Sequence, residues 1–190
     1  MQKRKIILDL AVTLDGFIEG PNGEIDWLEK DIGIDFADIL NDILEGVDTI
    51  FYGRISYDKW GHYSPENGTE KLQDAYRSLH SKTKYVFSTS QKNDGKAFFI
   101  HSDIEEEVNK ILQQPGENIW LYGGGKLITS FINLGLVDVY RLAVYPVILG
   151  AGKRLFDNLQ TRVDLRLTSS KPSPAGVILL TYEKIADNPF

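Results

Sequence analysis

The stretch that decides the fold spans residues 118–134 and reads NIWLYGGGKLITSFINL. Its first five residues are mostly large and apolar, which favours a buried strand. The Gly123-Gly124-Gly125 triplet then makes a turn, and residues 126–134 have the apolar spacing of a helix that Gly135 can end. A buried strand that passes through a glycine turn into a helix is typical of a parallel sheet with helices between its strands.

Strand and helix alternate on both sides of this unit. The pattern predicts strands at residues 5–13, 48–52, 84–88 and 96–100, and helices at 35–45, from 53, at 70–80 and from 102. Ser102 and Glu105 form a capping box at the start of the last of these helices. Beyond residue 137 the helical periodicity is lost, and long strands are expected at 137–147, 163–169 and 177–183. The order predicts one α/β domain, residues 1–190, with a mostly parallel sheet and an antiparallel ending.

Composition excludes several classes of protein. The chain has 190 residues, no cysteine and a formal charge of −6, from 21 Lys+Arg and 27 Asp+Glu. Disulfides, thiolate catalysis and metal sites built on sulfur are therefore impossible, and the negative charge disfavours nucleic-acid binding. The apolar run at the N-terminus is interrupted by Asp9 and lacks a cleavage motif, and no apolar run reaches the roughly 20 residues of a membrane span. We expect a cytoplasmic protein without membrane contact.

Common motifs of phosphate, metal and acyl chemistry are incomplete. Gly125-Lys126 has Trp120 where the phosphate-binding loop of nucleotide hydrolases needs its first glycine, and no complete G-x-G-x-x-G follows a strand. No G-x-S-x-G is present. The three histidines lack the spacing of metal ligands, so no metal site is predicted.

Three predicted strands end in small or hydroxyl-bearing residues that lead into a loop or a helix. These segments are YGRISY at 52–57, VFSTS at 86–90 and LYGGGK at 121–126. Ligands of open α/β sheets bind at the carboxyl ends of the strands, where helix N-termini offer free N–H groups to anions. Arg54 and Lys126 add positive charge to two of the segments. Three such turns in one sheet suit a dinucleotide better than a single phosphate.

Five stretches, in order, resemble one known family. They are LDGFI at 14–18, GRISY at 53–57, YVFST at 85–89, LYGGG at 121–125 and RLAVYPVILGAG at 141–152. The set resembles the reductase domain at the C-terminus of bacterial riboflavin-biosynthesis deaminase–reductases, which shares the dihydrofolate reductase fold. That resemblance implies an α/β protein: a three-layer α/β/α domain with a mixed, mostly parallel central sheet and an antiparallel C-terminal hairpin. The zinc motif of the deaminase part requires cysteine and is absent, so the chain resembles a stand-alone reductase domain.

The resemblance implies NADPH as the cofactor. The glycines and the helix starts would hold its phosphates, the hydroxyls after residue 87 would lie near the adenosine ribose, and the loop after the first strand would lie beside the nicotinamide. The residues assigned to the cofactor in this way are Leu14, Asp15, Gly16, Gly53, Arg54, Ser56, Ser88, Thr89, Gly123, Gly124, Gly125, Lys126, Val144 and Pro146.

The substrate side has weaker signals. Asp38 falls about one residue from the position of the carboxylate that grips the pterin in dihydrofolate reductases, and Asp35 lies one turn earlier; a solvated helix face explains both equally well. Asp26 beside the flat ring of Trp27 suits a planar heterocycle, although Trp27 is equally suited to the core. The last candidates are Lys153 and Arg154. Their charges suit the phosphate of a substrate, and they are equally typical of an ordinary charged surface.

The combined prediction is an NADPH-dependent reductase of a small heterocyclic or ribosylamino substrate, resembling 5-amino-6-(5-phosphoribosylamino)uracil reductase. Dihydrofolate reductase activity and a non-catalytic nucleotide-binding module are the alternatives. Alternating apolar residues in the C-terminal strands, Leu165 and Leu167 in one and Ile178 and Leu180 in the other, leave an edge that can pair with a second copy. We therefore expect a homodimer.

Overall fold

One eight-stranded sheet runs through this computed structural model, which describes residues 3–28, 33, 35–90 and 94–185. Its strands, together with those of a small two-stranded ribbon, are β1 (Ile6–Thr13), β2 (Phe17–Glu19), β3 (Val47–Gly53), β4 (Thr83–Phe87), β5 (Phe98–Ile100), β6 (Asn118–Gly123), β7 (Val139–Tyr145), β8 (Lys153–Arg154), β9 (Leu165–Pro172) and β10 (Ile178–Lys184). The helices are α1 (Phe36–Leu44), α2 (Arg54–Trp60), α3 (Glu70–Ser81), α4 (Ile104–Leu112) and α5 (Gly125–Asn133), with a 3-10 helix at Asp26–Leu28.

The strand order in the sheet is β5-β4-β3-β6-β1-β7-β10-β9. The first six strands of this order are mutually parallel, and β10 is antiparallel to both β7 and β9. The predicted mixed, mostly parallel sheet with an antiparallel C-terminal hairpin is therefore confirmed. The ribbon of β2 and β8 was not predicted, because it joins segments of only three and two residues that lie far apart in the chain.

Helices cover both faces of the sheet. Ile6 and Leu8 of β1 are fully buried in a cluster that includes Val108 of α4 and Phe131 of α5. On the opposite face, Ile50 of β3 belongs to a cluster to which α1 and α3 contribute Leu40 and Leu79. Because side chains alternate between the faces of a strand, this central sheet is buried on both sides, as a three-layer arrangement requires.

The predicted helix and strand boundaries agree with the structure to within about two residues at most sites. One local prediction was wrong: the N-cap of α4 is Asp103, whose carboxylate accepts a hydrogen bond from Glu106 N, and Ser102 lies one residue too early. An aspartate at this position caps as well as a serine, so two adjacent candidates compete and geometry selects one. The short strand β5 begins at Phe98 rather than at residue 96.

A buried arginine closes the edge of the sheet at which the parallel strands begin. Arg4 is 6% exposed and donates hydrogen bonds to the carbonyl oxygens of Glu117 and Ile111 and to Thr49 Oγ1. Its guanidinium also pairs with Asp48. A charge held by this many partners stabilises the fold, and it lies at the end of the strands away from the predicted ligand site.

Candidate functional site

The three predicted turns lie at the same edge of the sheet. Gly53, the last residue of β3, is in register with Phe87 of β4, while Tyr52 is in register with Gly123 of β6. Arg54, Ser88 and Gly124 directly follow these positions and therefore emerge side by side at the carboxyl end of three neighbouring strands. This is the convergence that the sequence predicts.

The glycine turn packs closely against the start of α2. A Cβ atom on Gly53 would lie 3.4 Å from the amide nitrogen of Gly124, and one on Gly124 would lie 3.0 Å from Ser56 Oγ. Gly123 has a φ of +103°, a conformation that favours glycine, and the peptide bond between Gly123 and Gly124 is cis. A Cβ atom would be an ordinary contact at Gly53 and a tight one at Gly124, so the two turns lie close together.

Two helices begin at this edge without a side-chain cap. Their N-cap residues are Gly53 for α2 and Gly124 for α5, so no cap side chain accepts from the first N–H groups. Unpartnered N–H groups and the positive end of the helix dipole both favour an anion. The nine-residue helix α5 provides the more complete N-terminus, at the turn assigned to the pyrophosphate.

Cations surround the turn. Arg54 is exposed and pairs with Asp58 one helical turn later, at 2.9 Å, and Lys126 is exposed on the first turn of α5. Lys153 lies on the same side: a Cβ on Gly124 would be 3.6 Å from its Nζ, and its partner is Glu19 Oε1 at 3.4 Å. The pairing of β8 with β2 thus places Lys153, predicted on the substrate side, beside the glycine turn. Its ribbon neighbour Arg154 lies over the ring of Phe17, 4.9 Å from the centroid.

The hydroxyl-bearing turn after β4 is internally bonded. Ser88 Oγ donates to Ser90 O at 3.0 Å and accepts from Ser90 N at 3.2 Å, while the backbone of Ser88 contacts Ile100 and His101. Thr89 is exposed. Ser88 therefore shapes the turn, and Thr89 is the more accessible of the two hydroxyls for a ligand.

The loop after β1 is fastened to the segment after β7. Asp15 accepts hydrogen bonds from Thr13 Oγ1 at 2.6 Å and from Gly150 N at 2.7 Å, and these bonds, led by the one from Thr13, lower the pKa of its carboxyl. Leu14 N donates to Val147 O at 2.9 Å. Gly16 adopts a φ of +86° in the turn. The segments that contain Leu14 to Gly16 and Val144 to Pro146 thus form one unit beside the glycine turn.

Two of the predicted substrate acids are held in exposed ion pairs. Lys71 of α3 lies 3.1 Å from Asp35 and 2.7 Å from Asp38. Asp35 is also the N-cap of α1, and its bond from Ala37 N is the main cause of a lowered carboxyl pKa. About half of each of these two acidic side chains is exposed, and both serve to connect α1 with α3.

The Asp26-Trp27 pair is divided between surface and interior. Asp26 is exposed, whereas Trp27 is 4% exposed and meets Tyr145 edge-on with ring centroids 5.2 Å apart. Val177 completes this small buried cluster. These contacts favour the second interpretation of Trp27, as a residue of the hydrophobic core.

An acid that was not among the predicted site residues lies inside the sheet. Asp9 of β1 is in register with Arg141 of β7, whose Nε is 2.9 Å from Asp9 Oδ2. Burial raises the pKa of the Asp9 carboxyl to about 6, against the opposing effect of Arg141. The signal was present in the sequence, because Asp9 is the only charged residue in the run at 6–13. A charge in a buried central strand is costly and suggests a function.

The face of the sheet around Asp9 is partly open. Arg141, Ala11, Ala143 and Tyr122 lie on the α1 side of the central strands, and all are partly exposed. On the opposite face Ile6 and Leu8 are fully buried. This partly exposed face, which we call the α1 cleft, comprises Asp9 and these four residues.

Metal-ligand clusters and membrane-spanning helices are absent from the described ranges 3–28, 33, 35–90 and 94–185. There, no three His, Asp or Glu side chains come together as a metal site. No helix in the same ranges combines the length and apolarity needed to cross a membrane.

The family to which the chain belongs follows from its similarity to known proteins. The model of the RibD C-terminal domain matches residues 4–179. The chain belongs to the RibD C-terminal domain family. The "Uncharacterized protein YyaP" of Bacillus subtilis (strain 168) is 52% identical over 186 residues, 96% of each chain. The resemblance drawn from the five sequence stretches is confirmed.

Solved structures place this RibD C-terminal domain in the dihydrofolate reductase-like fold. It superposes with a TM-score of 0.66 and 15% identity on a Thermotoga maritima diaminohydroxyphosphoribosylaminopyrimidine deaminase/5-amino-6-(5-phosphoribosylamino)uracil reductase, covering 96% of this chain and 57% of that one. It also superposes on Enterococcus faecalis dihydrofolate reductase complexed with NADP(H), with a TM-score of 0.65 and 15% identity, over 95% of this chain and 96% of that one. The predicted fold is thereby confirmed.

Proposed function

We propose that the protein is an NADPH-dependent reductase of a small heterocyclic compound, acting as a single reductase domain. The observation that supports this most strongly is the convergence of the Gly53 and Gly124 turns at one sheet edge, with two uncapped helix N-termini and three cations beside them. Membership in the RibD C-terminal domain family and likeness in fold to reductases agree with it.

The residues at the edge fit the phosphates of a dinucleotide. The α5 N-terminus, with Lys153 and Lys126 near it, offers N–H groups and positive charge to a pyrophosphate. Arg54 and Thr89 follow neighbouring strands and suit the additional phosphate that distinguishes NADPH from NADH. In a protein with a net charge of −6, this local concentration of donors is what an anionic cofactor needs.

When bound, the nicotinamide supplies a hydride to a polarised double bond of the acceptor. The chain's own part is to bind, orient and exclude water. Leu14 and Ile148, on the two segments that Asp15 connects, are 64% and 72% exposed and follow β1 and β7 at the carboxyl end of the sheet. These side chains suit the shielding of a reacting ring from solvent.

The two alternative functions differ in the residues that they require to bind an acceptor molecule. Dihydrofolate reduction uses a carboxylate on the first helix, and here Asp35 and Asp38 of α1 are occupied by Lys71. A non-catalytic module would need only the nucleotide edge and no acceptor site. The partly open α1 cleft supports an enzyme over a module.

One pair of measurements tests the proposal. Calorimetric titration compares the affinities for NADPH and NADH, and oxidation of NADPH is then followed with 5-amino-6-(5-phosphoribosylamino)uracil, its dephosphorylated form and dihydrofolate. We expect tighter binding of NADPH than of NADH, and turnover with at least one heterocycle. Failure to bind NADPH would contradict the proposal, and tight binding without turnover of any compound would favour the module.

We further propose that the protein forms a homodimer through the edge strand β9. Leu167 of β9 is 51% exposed, and Ile178 and Leu179 of the adjacent β10 are also exposed. An edge strand with exposed apolar residues is suited to pairing with a second copy.

A further inference from the structure

The strand at the centre of the sheet carries a carboxylate that the cofactor edge does not use. Asp9 is held between two elements: Arg141 of β7 lies next to it, and the other end of the same guanidinium binds Asp42 of α1. Trp120 Nε1 donates to the backbone oxygen of Asp9 at 3.0 Å. These contacts orient the acid but do not complete its hydrogen bonding.

One oxygen of this carboxylate lacks a directed partner. Asp9 Oδ2 is buried and accepts no hydrogen bond from the described residues, although Arg141 Nε lies 2.9 Å away as a charge contact. A buried acceptor left in this state costs stability, and in proteins such groups are completed by an ordered water, an ion or a ligand, or belong to a functional site.

The position of Asp9 suits a ligand whose reacting end lies at the sheet edge. Asp9 precedes Thr13, the last residue of β1, by four residues, which is about 13 Å along a strand. Ala11 lies between them on the same face, and its register partner is Ala143. Both side chains are small and partly exposed, and they pack against the cluster of Trp27, Tyr145 and Val177.

Charge around the cleft selects against phosphate. Asp9 and Asp42 share the single cation Arg141, and Asp35 and Asp38 of α1 share the single cation Lys71. When the four carboxyl groups are ionised, each set of two acids and one cation has a net charge of about −1. An acceptor with a phosphate would therefore be repelled from this side of the sheet, whereas a ring with N–H donors or positive charge would be attracted.

We propose that Asp9, positioned by Arg141, is the recognition residue for the acceptor, and that the acceptor is an unphosphorylated nitrogen heterocycle that donates N–H groups to the Asp9 carboxylate. This inference rests on the proposed reductase function and deepens it by naming the substrate class. It assigns the recognition of the acceptor to Asp9 of β1, because Asp35 and Asp38 pair with Lys71.

Two small probes test the inference directly. The probe that donates N–H groups is 2,4-diaminopyrimidine, and the phosphorylated pyrimidine is uridine 5′-monophosphate. Each is titrated by calorimetry with the NADPH-saturated protein and with the free protein, as wild type and as the Asp9→Asn variant. The matched control is Glu106→Gln, which removes a negative charge from α4, the helix that packs on the opposite face of the sheet.

We expect 2,4-diaminopyrimidine to bind more tightly than uridine 5′-monophosphate. In Asp9→Asn its affinity falls by about tenfold or more, the effect of losing a charge-assisted hydrogen bond. The Glu106→Gln control retains wild-type affinity, and NADPH affinity is the same in all three proteins.

Three results would overturn the inference: equal affinity of wild type and Asp9→Asn for 2,4-diaminopyrimidine, tighter binding of uridine 5′-monophosphate, or no binding of 2,4-diaminopyrimidine by the wild type. The proposed function is judged separately, by NADPH. If NADPH does not bind but 2,4-diaminopyrimidine still depends on Asp9, the reductase proposal fails and the recognition site stands.

Discussion

Asp15 and Gly150 are 135 residues apart in the chain, yet the Asp15 carboxylate accepts a hydrogen bond from the Gly150 amide at 2.7 Å. This bond and the one from Leu149 N join the loop after β1 to the segment after β7, and the bond from Thr13 Oγ1 holds Asp15 within its own loop. The two segments border the proposed cofactor site from the α1 cleft side. The Asp15 carboxylate thus reinforces a connection that the Leu14–Val147 backbone bond also makes.

Asp15→Ala is expected to loosen this connection. The amides of Leu149 and Gly150 lose their acceptor, so hydrogen exchange at residues 147–152 should become faster and NADPH affinity should fall. Hydrogen-exchange mass spectrometry measures the first effect and calorimetry the second. Asp15→Asn keeps one acceptor oxygen and should give a smaller change; exchange that is unaffected by either substitution would show that the bond is not what orders the segment.

Gly124→Asp is expected to abolish NADPH binding while the fold persists. Gly124 has a φ of −81°, which any residue can adopt, so the backbone is not strained. The new carboxylate would stand among the groups that face the phosphates, and like charges at contact distance cost affinity by about tenfold or more.

The control for this variant is Gly124→Ala, which adds only a Cβ atom 3.0 Å from Ser56 Oγ. We expect a small loss for alanine and a large loss for aspartate. Circular dichroism checks that both proteins fold. Equal NADPH affinity in the aspartate variant and the wild type would remove the glycine turn from the site.

Asp9→Asn is expected to stabilise the protein at neutral pH. The Asp9 carboxyl has a pKa of about 6 in the folded chain against an ordinary value of 3.8, so the folded state favours the protonated acid. Its stabilising effect is complete below pH 3.8 and is lost as the pH rises to 6. The charged groups facing Asp9 are Arg141 on β7, which lowers its pKa, and Asp42 on α1, which raises it; burial is the largest effect and outweighs Arg141.

A shift of about two pH units corresponds to about 3 kcal/mol of unfolding free energy. Urea denaturation should therefore show Asp9→Asn more stable than the wild type by up to that amount at pH 7.5, with little difference at pH 3.5. A variant that is less stable at pH 7.5 would indicate that the Arg141 contact outweighs the burial of the charge.

Arg4→Met is expected to destabilise the fold without weakening NADPH binding. The substitution removes the cation that pairs with the partly exposed Asp48 and leaves two backbone carbonyls without this donor, and a buried acceptor left unsatisfied costs about 1–3 kcal/mol. Urea denaturation measures it, and Lys3→Met, at an exposed neighbouring position, should have almost no effect. A stability loss in Arg4→Met no larger than that of Lys3→Met would refute this role.

Leu167→Lys is expected to convert the proposed dimer into monomers, because a charge on the edge strand β9 opposes pairing. The matched control is Phe98→Lys on β5, the strand at the other edge of the sheet, where Phe98 is also exposed. Analytical ultracentrifugation distinguishes the two variants. A wild-type monomer would contradict the dimer, and dissociation by Phe98→Lys alone would move the interface to β5.

Local patterns were sufficient for most of the secondary structure. The pattern of residues 118–134 predicts the strand, the turn and the helix found there, and the apolar run predicts the strand at 5–13. The short ribbon of β2 and β8 is different, since segments of three and two residues have too little pattern to detect, and their pairing depends on the approach of distant loops. For this reason the sequence could not show that Lys153 stands beside Gly124.

The candidate site divides in the same way. Sequence alone determined that Gly53, Ser88 and Gly124 follow strand ends, and because parallel strands share one carboxyl edge, their convergence followed from the fold class. The tertiary structure decided which cation each acid meets. Lys71 of a separate helix occupies Asp35 and Asp38, while the register of β1 and β7 sets Arg141 beside Asp9. Local sequence specifies what a strand or turn can offer, but pairing between distant segments determines which charges are neutralised and which remain for a ligand.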